Sequence, residues 1–311
     1  MTDVPNDDKP DFGQRSSQLP MAGQLFLDHV GHFVAEPEAA VRALVRAGFT
    51  PTPRSVQVNP DPAGGTPRKT GTGNVCAMLE NGYVEMLFKT ADTPLGAELD
   101  AARARYPGLH LAAFAIADAP AAHARLAAAG FRTQPVVDMR RPVDTAAGPG
   151  VAAFSVVRLE PGQMPEGRIQ VLRHLTEDTV WQPRWLVHPN TAVGLTSLTI
   201  AVGDVAEASG RFARFLGRGP DGMTEAGGVR FVLDRGAIEL LPAAAMAARW
   251  PDLAIPSLPF MAGCGIAVRS LESAEAMLRR GGIGVTRIGR GIEARFPPEL
   301  GHGVWQFERQ T

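Results

Sequence analysis

The chain has 311 residues, of which 45% are hydrophobic and 20% charged, a composition typical of a soluble globular protein of about two domains. Its formal net charge of −1 gives no basic field that would attract nucleic acid or an acidic membrane surface. Residues 1–23 are polar and lack the apolar core of a signal peptide, so we predict a mobile tail. Two cysteines, Cys76 and Cys264, are too few for a disulfide framework, which favours a cytoplasmic location.

Residues 26–46 have the pattern of a strand followed by a helix. An apolar run at 26–34 predicts a strand, Glu36 stands where a first-turn acid belongs, and an alanine-rich amphipathic stretch at 37–46 predicts a helix that ends at Gly48. Residues 51–74 are rich in Pro, Gly and polar residues, which predicts a loop. A second apolar run at 83–87 predicts another strand, with Glu85 on the face opposite its neighbours.

The same order of strand, polar helix start, helix and glycine stop returns three times further along the chain. Each copy later carries a Glu or Gln between apolar neighbours on a predicted strand. The predicted strands, helices and final strands of these copies are 109–116, 120–128 and 168–172; 195–202, 206–215 and 237–241; and 265–268, 271–280 and 303–307.

This repeat predicts an α+β fold made of four βαβββ modules. The interval from helix-stop glycine to Glu or Gln is longer in the first two modules than in the last two, so the modules fall into two pairs. We predict domains at residues 24–175 and 192–311, joined by a packed linker at 176–191. The first pair has long excursions at 51–74 and 133–150, and long loops on a rigid scaffold favour a binding site there.

Three short strings within this repeat resemble the vicinal oxygen chelate superfamily, which includes glyoxalase I, bleomycin-resistance proteins and extradiol dioxygenases. They are Leu27-Asp28-His29, Gly71-Thr72-Gly73-Asn74 and Gly82-Tyr83-Val84-Glu85. The resemblance is closest to the glyoxalase-like proteins and covers residues 24–309. It implies that each pair of modules forms a half-open barrel, with a metal ion and a small-molecule substrate inside the first one.

The resemblance assigns His29, seven residues before Glu36, and Glu85 as metal ligands. His110 is the counterpart on the second module, but it lies eight residues before Asp118, and a strict count selects Leu111. A bulge at Leu111-Ala112-Ala113 or a shifted helix start would restore His110, and both alternatives remain open. Gln170, the counterpart of Glu85, is either a fourth ligand or a hydrogen-bonding amide.

Other residues border this predicted site. Glu85 and Tyr83 are the catalytic candidates, and Asn74 a candidate for substrate binding. Arg140 and Arg141, on the predicted loop of the second module, could hold an anionic substrate group or be solvated. By counting back from Gly217 and Gly282, the second domain has Leu198 and Gly263 at the His29 position and therefore lacks histidine ligands.

The sequence supports two functions. The first is a metal-dependent enzyme, a glyoxalase-like lyase or isomerase and less readily a dioxygenase, that uses Fe, Mn, Zn or Ni to chelate a small oxygenated substrate. The alternative is a metal-free binding protein of the bleomycin-resistance type. A third, weaker interpretation gives the second domain a packing role or a role in a homodimer.

Overall fold

The fold was analysed in a computed structural model that describes residues 18–59, 65–66, 68–224 and 226–310. The predicted tail lies outside the described residues up to position 17. From Gln18 onward the chain is packed: Gln18 is fully buried, and its backbone N–H donates to Oε1 of Glu177 at 2.8 Å. Within the described ranges, no helix is long and apolar enough to cross a membrane.

The first half of the chain repeats the order strand, helix, strand, strand, strand twice, with a helix after each repeat. The elements are β1 (Phe26–Phe33), α1 (Pro37–Arg46), β2 (Ser55–Asn59), β3 (Arg68–Met78), β4 (Tyr83–Lys89), α2 (Pro94–Arg105), β5 (Gly108–Ala115), α3 (Ala119–Ala128), β6 (Val137–Thr145), β7 (Gly148–Arg158), β8 (Arg168–His174) and the short α4 (Glu177–Val180).

The second half repeats the order twice more, and in each repeat the strands that follow the first helix are short. The elements are β9 (Ala192–Val202), α5 (Val205–Leu216), β10 (Gly222–Met223), β11 (Val229–Val232), β12 (Ala237–Pro242), α6 (Ala243–Arg249), β13 (Phe260–Val268), α7 (Leu271–Arg280), β14 (Val285–Ile288), β15 (Gly291–Arg295) and β16 (Val304–Arg309). The mixed α and β fold predicted from the sequence is confirmed, and the element order is the one that four βαβββ modules require.

The helix starts follow the predicted chemistry in three of the repeats. The side chains of Asp118, Asp204 and Ser270 each accept a hydrogen bond from a backbone N–H in the first turn of the helix. Glu36 occupies the same position before α1, but its side chain makes no capping bond there. Gly217 ends α5 with φ of 71°, a left-handed conformation that glycine adopts without strain.

Strand pairing is the same in every repeat. The last strand pairs in parallel with the first, as β4 does with β1 and β8 with β5. The first strands of two successive repeats then pair in antiparallel fashion, β1 with β5 and β9 with β13. A single register pair, Met261 with Leu109, joins β13 to β5 and so connects the two halves.

Both segments predicted as long loops contain strands. The segment 51–74 holds β2 and the start of β3, although residues 60–64 and 67 lie outside the described residues. The segment 133–150 is mostly the hairpin of β6 and β7. The prediction failed because these strands lie at the outer side of the sheet, where Pro and Gly are tolerated.

The two cysteines are free and buried, Cys76 on β3 and Cys264 on β13. Burial raises the pKa of each thiol far above its usual range, because the thiolate would lose its hydration. Both side chains therefore stay protonated at neutral pH and fill space as small apolar groups.

Two buried histidines lie on β1 and β5 near the contact between the halves. Nδ1 of His32 bonds the carbonyl of Leu300 in the second half at 2.9 Å, and Nε2 of His110 bonds the carbonyl of Tyr106 at 2.7 Å. A carbonyl only accepts, so each bonded nitrogen carries the proton. Burial lowers the pKa of both imidazoles from 6.5 to about 4, so both are neutral at pH 7.

We expect these two histidines to destabilise the fold in acid. A pKa that is lower in the folded than in the unfolded chain gives stability that is complete above the unfolded pKa and lost as pH falls through the folded one. Asn at position 32 and Gln at position 110 can donate the same hydrogen bonds without titrating. When the pH is lowered from 7 to 4.5, the unfolding free energy should fall in the parent and in both variants. The fall should be about 2 kcal/mol smaller in His32→Asn, and likewise in His110→Gln, than in the parent.

Urea denaturation at the two pH values measures this difference. His302→Gln is the matched control, because His302 is exposed and should leave the pH dependence unchanged. Equal acid losses in the parent and in the two buried variants would contradict the assignment.

Candidate functional site

The first half contains a cavity that opens to solvent between its two modules. Alternate residues of the surrounding strands point into it, as Tyr83, Glu85 and Leu87 do from β4. The intervening residues Val84 and Met86 belong to the main hydrophobic core, as the sequence pattern predicted.

A bulge in β1 places two consecutive polar side chains on the cavity side. In the pairing with β5, Leu27 faces Phe114 and His29 faces Ala113, so Asp28 is the extra residue. A bulge of this kind re-aims a side chain that would otherwise point to the other sheet face. Asp28 can therefore bond its own neighbour, and its Oδ2 lies 2.7 Å from Nδ1 of His29.

Asp28 also holds a second histidine. Its Oδ1 lies 2.8 Å from Nε2 of His174 at the end of β8, and all three side chains are buried. Burial alone raises the pKa of the Asp28 carboxyl, but the charges and hydrogen bonds of His174 and His29 outweigh it and hold this pKa well below its usual range. The carboxylate is thus ionised and only accepts, so the facing nitrogens of both histidines carry protons.

Nε2 of His29 is consequently the nitrogen that faces the cavity, and it meets Glu85. Its distance to Oε2 of Glu85 is 3.6 Å, and both side chains are almost fully buried. The other oxygen of Glu85, Oε1, accepts a hydrogen bond of 2.6 Å from the amide of Asn74. Nδ1 of His29 and Oε1 of Glu85 are therefore each hydrogen-bonded to a neighbouring side chain. Nε2 of His29 and Oε2 of Glu85 point at each other.

Tyr83 stacks on His29, with ring centroids 4.3 Å apart and an angle of 18° between the rings. Burial, followed by the charges of Asp28 and Glu85, raises the pKa of the phenol well above its usual range. The hydroxyl stays protonated at neutral pH, so Tyr83 can donate a hydrogen bond but cannot serve as a base.

The second module contributes Gln170 but not His110. Gln170 lines the same cavity, and its Oε1 is 3.4 Å from Nε of Arg158. His110 lines a separate cavity, where its ring stacks on Tyr106 with centroids 4.0 Å apart. The structure therefore brings together His29, Glu85 and Gln170 and leaves His110 apart from them.

The bulge proposed for the second module exists, but it falls on His110 itself. In the pairing of β1 with β5, Gly31 faces Leu111 and His32 faces Leu109, so His110 is the extra residue. His110 is therefore the counterpart of Asp28, and Leu111 is the counterpart of His29. Leu111 lines the cavity at the place that corresponds to His29 in the first module.

Four arginines border the cavity, and only two of them, Arg140 and Arg141, were predicted from the sequence. Burial alternates along β6, which turns Arg141 inward and leaves Arg140 exposed at the rim. Arg158 on β7 and Arg168 on β8 were missed. Arg168 stands two residues before Gln170 on one strand, so the period of a strand would have placed it on the same face.

The corresponding place in the second half is filled by the chain itself. Glu239 accepts a hydrogen bond from Arg249 at 2.6 Å, and Gln306 donates one to Glu293 at 2.9 Å. The ring of Trp250 lies 3.2 Å from where a Cβ on Gly263 would be. Trp250 thus occupies the space that an imidazole would need in the fourth module.

In the third module the counterpart of His29 is Ser197 and not Leu198. Ser197 lies seven residues before Asp204, as His29 does before Glu36. The interval from Asp204 to Gly217 is one residue longer than that from Glu36 to Gly48, so counting back from the glycine was off by one. Neither residue is a histidine, which leaves the expectation of a ligand-free second half unchanged.

Three side chains of the cavity, those of His29, Glu85 and Gln170, are the candidates to hold a divalent ion. Within the described part of the chain, no cluster of three or more His, Cys, Asp or Glu side chains could hold a metal. His29 and Glu85 nevertheless converge, and each is oriented by an outer partner in the way that metal ligands commonly are. Gln170 could add a carbonyl oxygen, and Leu111 leaves the remaining side without a donor.

Comparison with known proteins identifies the fold. Residues 27–216 match the family described as a glyoxalase-like domain. A hypothetical protein from Staphylococcus aureus is similar, with 10% sequence identity over 92% of this chain and 100% of that chain and a TM-score of 0.62. A xylose isomerase-like TIM barrel/4-hydroxyphenylpyruvate dioxygenase fusion protein has 11% identity over 95% of this chain and 50% of its own, with a TM-score of 0.55.

At these identities the likeness to solved structures concerns the fold alone. No curated protein sequence matches the chain.

The Asp28 arrangement predicts the effect of Asp28→Asn. An amide offers one acceptor and one set of donors, so it cannot accept from both His29 and His174. We expect at least one of these rings to lose its bond or change tautomer, and the unfolding free energy to fall by about 1–3 kcal/mol. Ring ¹⁵N chemical shifts report the tautomers, and urea denaturation reports the stability.

Asp100→Asn is the matched control, since Asp100 pairs with Lys89 on the partly exposed surface. It should leave the shifts of both buried rings unchanged. Unaltered ring shifts in Asp28→Asn would refute the proposed proton positions.

Proposed function

Since the chain belongs to the glyoxalase-like domain family of the vicinal oxygen chelate superfamily, we propose that it is a metal-dependent enzyme acting on a small oxygenated substrate. His29 and Glu85 would bind the divalent ion, with Gln170 as a third ligand. Proton transfer in a lyase or isomerase reaction is the chemistry that we favour.

The observation that carries this proposal is the meeting of Nε2 of His29 with Oε2 of Glu85 across 3.6 Å. With the proton of His29 on Nδ1, both facing atoms present lone pairs. Two buried acceptors so close together repel each other unless a cation lies between them. A divalent metal ion is one such cation, and imidazole and carboxylate are ordinary ligands for it.

The neighbouring side chains support the same assignment. Asp28 fixes the tautomer of His29, and Asn74 fixes the orientation of Glu85, so the facing atoms need no rearrangement to bind an ion. When bound, the ion would supply Lewis-acid polarisation of a substrate oxygen. Oxygen-activating iron sites commonly use two histidines and one carboxylate, whereas this site has a single histidine. Because Leu111 stands in place of the second histidine, we favour lyase or isomerase chemistry over a dioxygenase.

The chain itself offers a proton acceptor and a hydrogen-bond donor at this place. The Glu85 carboxylate faces the cavity and could take a proton from a substrate atom beside it. The protonated phenol of Tyr83 could donate a hydrogen bond to the oxyanion that this step creates. Both side chains are buried, which strengthens both interactions.

Leu111 supports a second candidate, a metal-free binding protein. With an apolar residue in place of the second histidine, the cation between His29 and Glu85 could be a proton. His29 would then be an imidazolium held between two carboxylates, Asp28 and Glu85. In that case the cavity would bind and sequester a ligand without transforming it.

Elemental analysis of gently purified protein separates the two candidates. We expect near-stoichiometric Fe, Mn, Zn or Ni in the parent and its loss in His29→Ala and Glu85→Ala, because each variant removes one of two strong ligands. His110→Gln is the matched control and should keep its metal, because His110 lines another cavity. If the parent protein stays metal-free after reconstitution with each ion, the enzyme proposal is refuted and the metal-free binding protein is favoured.

Leu111→His provides a gain-of-ligand test. Leu111 stands where the pseudo-symmetry of the two modules places a second imidazole, so His there should point at the same ion. We expect the metal affinity, measured by competition with a chromogenic chelator, to rise at least tenfold. Leu111→Gln controls for polarity at this position. An affinity unchanged or lowered by the histidine would show that the ion is bound elsewhere.

A further inference from the structure

The cavity that contains His29 and Glu85 carries an excess of positive charge. Among the described lining residues, Arg140, Arg141, Arg158 and Arg168 contribute guanidinium groups, and Glu85 contributes the carboxylate. Arg140 is exposed at the rim, where solvent screens its charge. The other three are more enclosed, so their charges need compensation from within the cavity.

Arg168 already has partners. Its Nη2 lies 3.0 Å from Oε2 of Glu98 on α2, and its guanidinium carbon lies 5.3 Å from the ring centroid of Phe33. These contacts hold Arg168 against the wall between the two cavities. Its charge is largely balanced, and its geometry is not free to follow a ligand.

Arg158 has no such partner. Its contacts are a long hydrogen bond of 3.4 Å to Oε1 of Gln170 and one of 3.3 Å to the sulfur of Met139. In the described part of the chain, no carboxylate forms an ion pair with it. Burial, with the neighbouring charge of Arg168, lowers the pKa of Arg158 to about 10, so it remains a cation at neutral pH.

We propose that Arg158 is the anion-binding residue of this cavity and that the substrate is a small apolar molecule carrying a carboxylate or phosphate group. The planar guanidinium can bind either oxyanion in bidentate fashion. Arg141, which faces inward from β6, adds a second positive charge to the same cavity. This inference rests on the proposed function in one respect: the end of the substrate opposite its anionic group would lie at His29 and Glu85.

The remaining walls define the apolar part of the substrate. Leu111, Val156 and Leu172 belong to one small hydrophobic cluster, with Met139 and Phe154 packed against it. All five also line the cavity. These side chains can accept an aromatic ring or a short aliphatic chain between the arginine and the His29–Glu85 pair, which suits a substrate with an anion at one end.

Binding of three matched probes tests the proposal: benzoate, phenyl phosphate and the neutral benzamide. Calorimetric titration of the full chain gives each dissociation constant. We expect at least one of the two anions to bind at least tenfold more tightly than benzamide. The tighter of the two identifies carboxylate or phosphate as the preferred group. Equal binding of all three, or binding of none at up to tens of millimolar probe, would overturn the proposal.

Variants locate the effect on Arg158. Arg158→Met should weaken binding of the preferred anion at least tenfold and leave benzamide unaffected. Arg158→Lys should retain part of the affinity, because lysine keeps the charge but not the bidentate geometry. Arg173→Met is the matched control, since Arg173 is exposed on β8, and it should bind as the parent does. Wild-type anion binding by Arg158→Met would refute the assignment.

Folding and metal binding are checked in the same samples. Arg158→Met removes an unpaired charge, so it should be at least as stable as the parent without ligand. Its metal content should match that of the parent, because Arg158 is not a ligand. Anion binding that depends on Arg158 in a metal-free parent would refute the proposed metal and keep the anion site. A metal-loaded parent that binds the anions no more tightly than benzamide would support the proposed metal and refute the anion site.

Discussion

The bulge at Asp28 is the constraint on which the arrangement of the site depends. Without the extra residue, Asp28 would point to the hydrophobic core, where an ionised carboxylate has no partner. With it, one carboxylate binds His29 on its own strand and His174 on β8, and so joins the two modules beneath the cavity. The same interaction fixes which nitrogen of His29 faces Glu85. Local backbone geometry, packing between the two modules of the first half and the chemistry of the cavity therefore meet in one residue.

The repeat made most of the fold predictable from sequence. Strand, cap, helix and glycine recur with near-constant spacing, and helix ends carry specific chemistry, so the first strand, the helix and the last strand of each module could be located within a few residues. The strands β2 and β6 could not, because Pro, Gly and polar residues are common both in loops and in strands at the outer side of a sheet. Glu85 was predictable because strand alternation placed it opposite its apolar neighbours, whereas His29 was identified through the family resemblance.

The rest of the site depended on information that lies outside local patterns. One residue of register decided between His110 and Leu111, and a bulge in each first strand changed that register. The sequence count selected Leu111, and only strand pairing shows that His110 takes the place of Asp28. Arg158 was missed because the lack of an ion pair to it, among the described residues, is a property of tertiary structure. His174 was missed as a partner of Asp28 for a related reason, since 146 residues separate them.

The two halves of the chain share one scaffold, but the place of the cavity is filled by side chains in the second half and open in the first. In the second half, Trp250 fills the equivalent place, where Glu239 pairs with Arg249 and Gln306 donates to Glu293. In the first half, the acceptors of His29 and Glu85 face each other, and Arg158 faces the cavity without an ion pair to any described carboxylate. A cation at one end and an anion at the other would resolve both at once. The cavity therefore needs a positive group at one end and a negative group at the other. A substrate that chelates a metal ion through its oxygens and ends in an oxyanion would supply both.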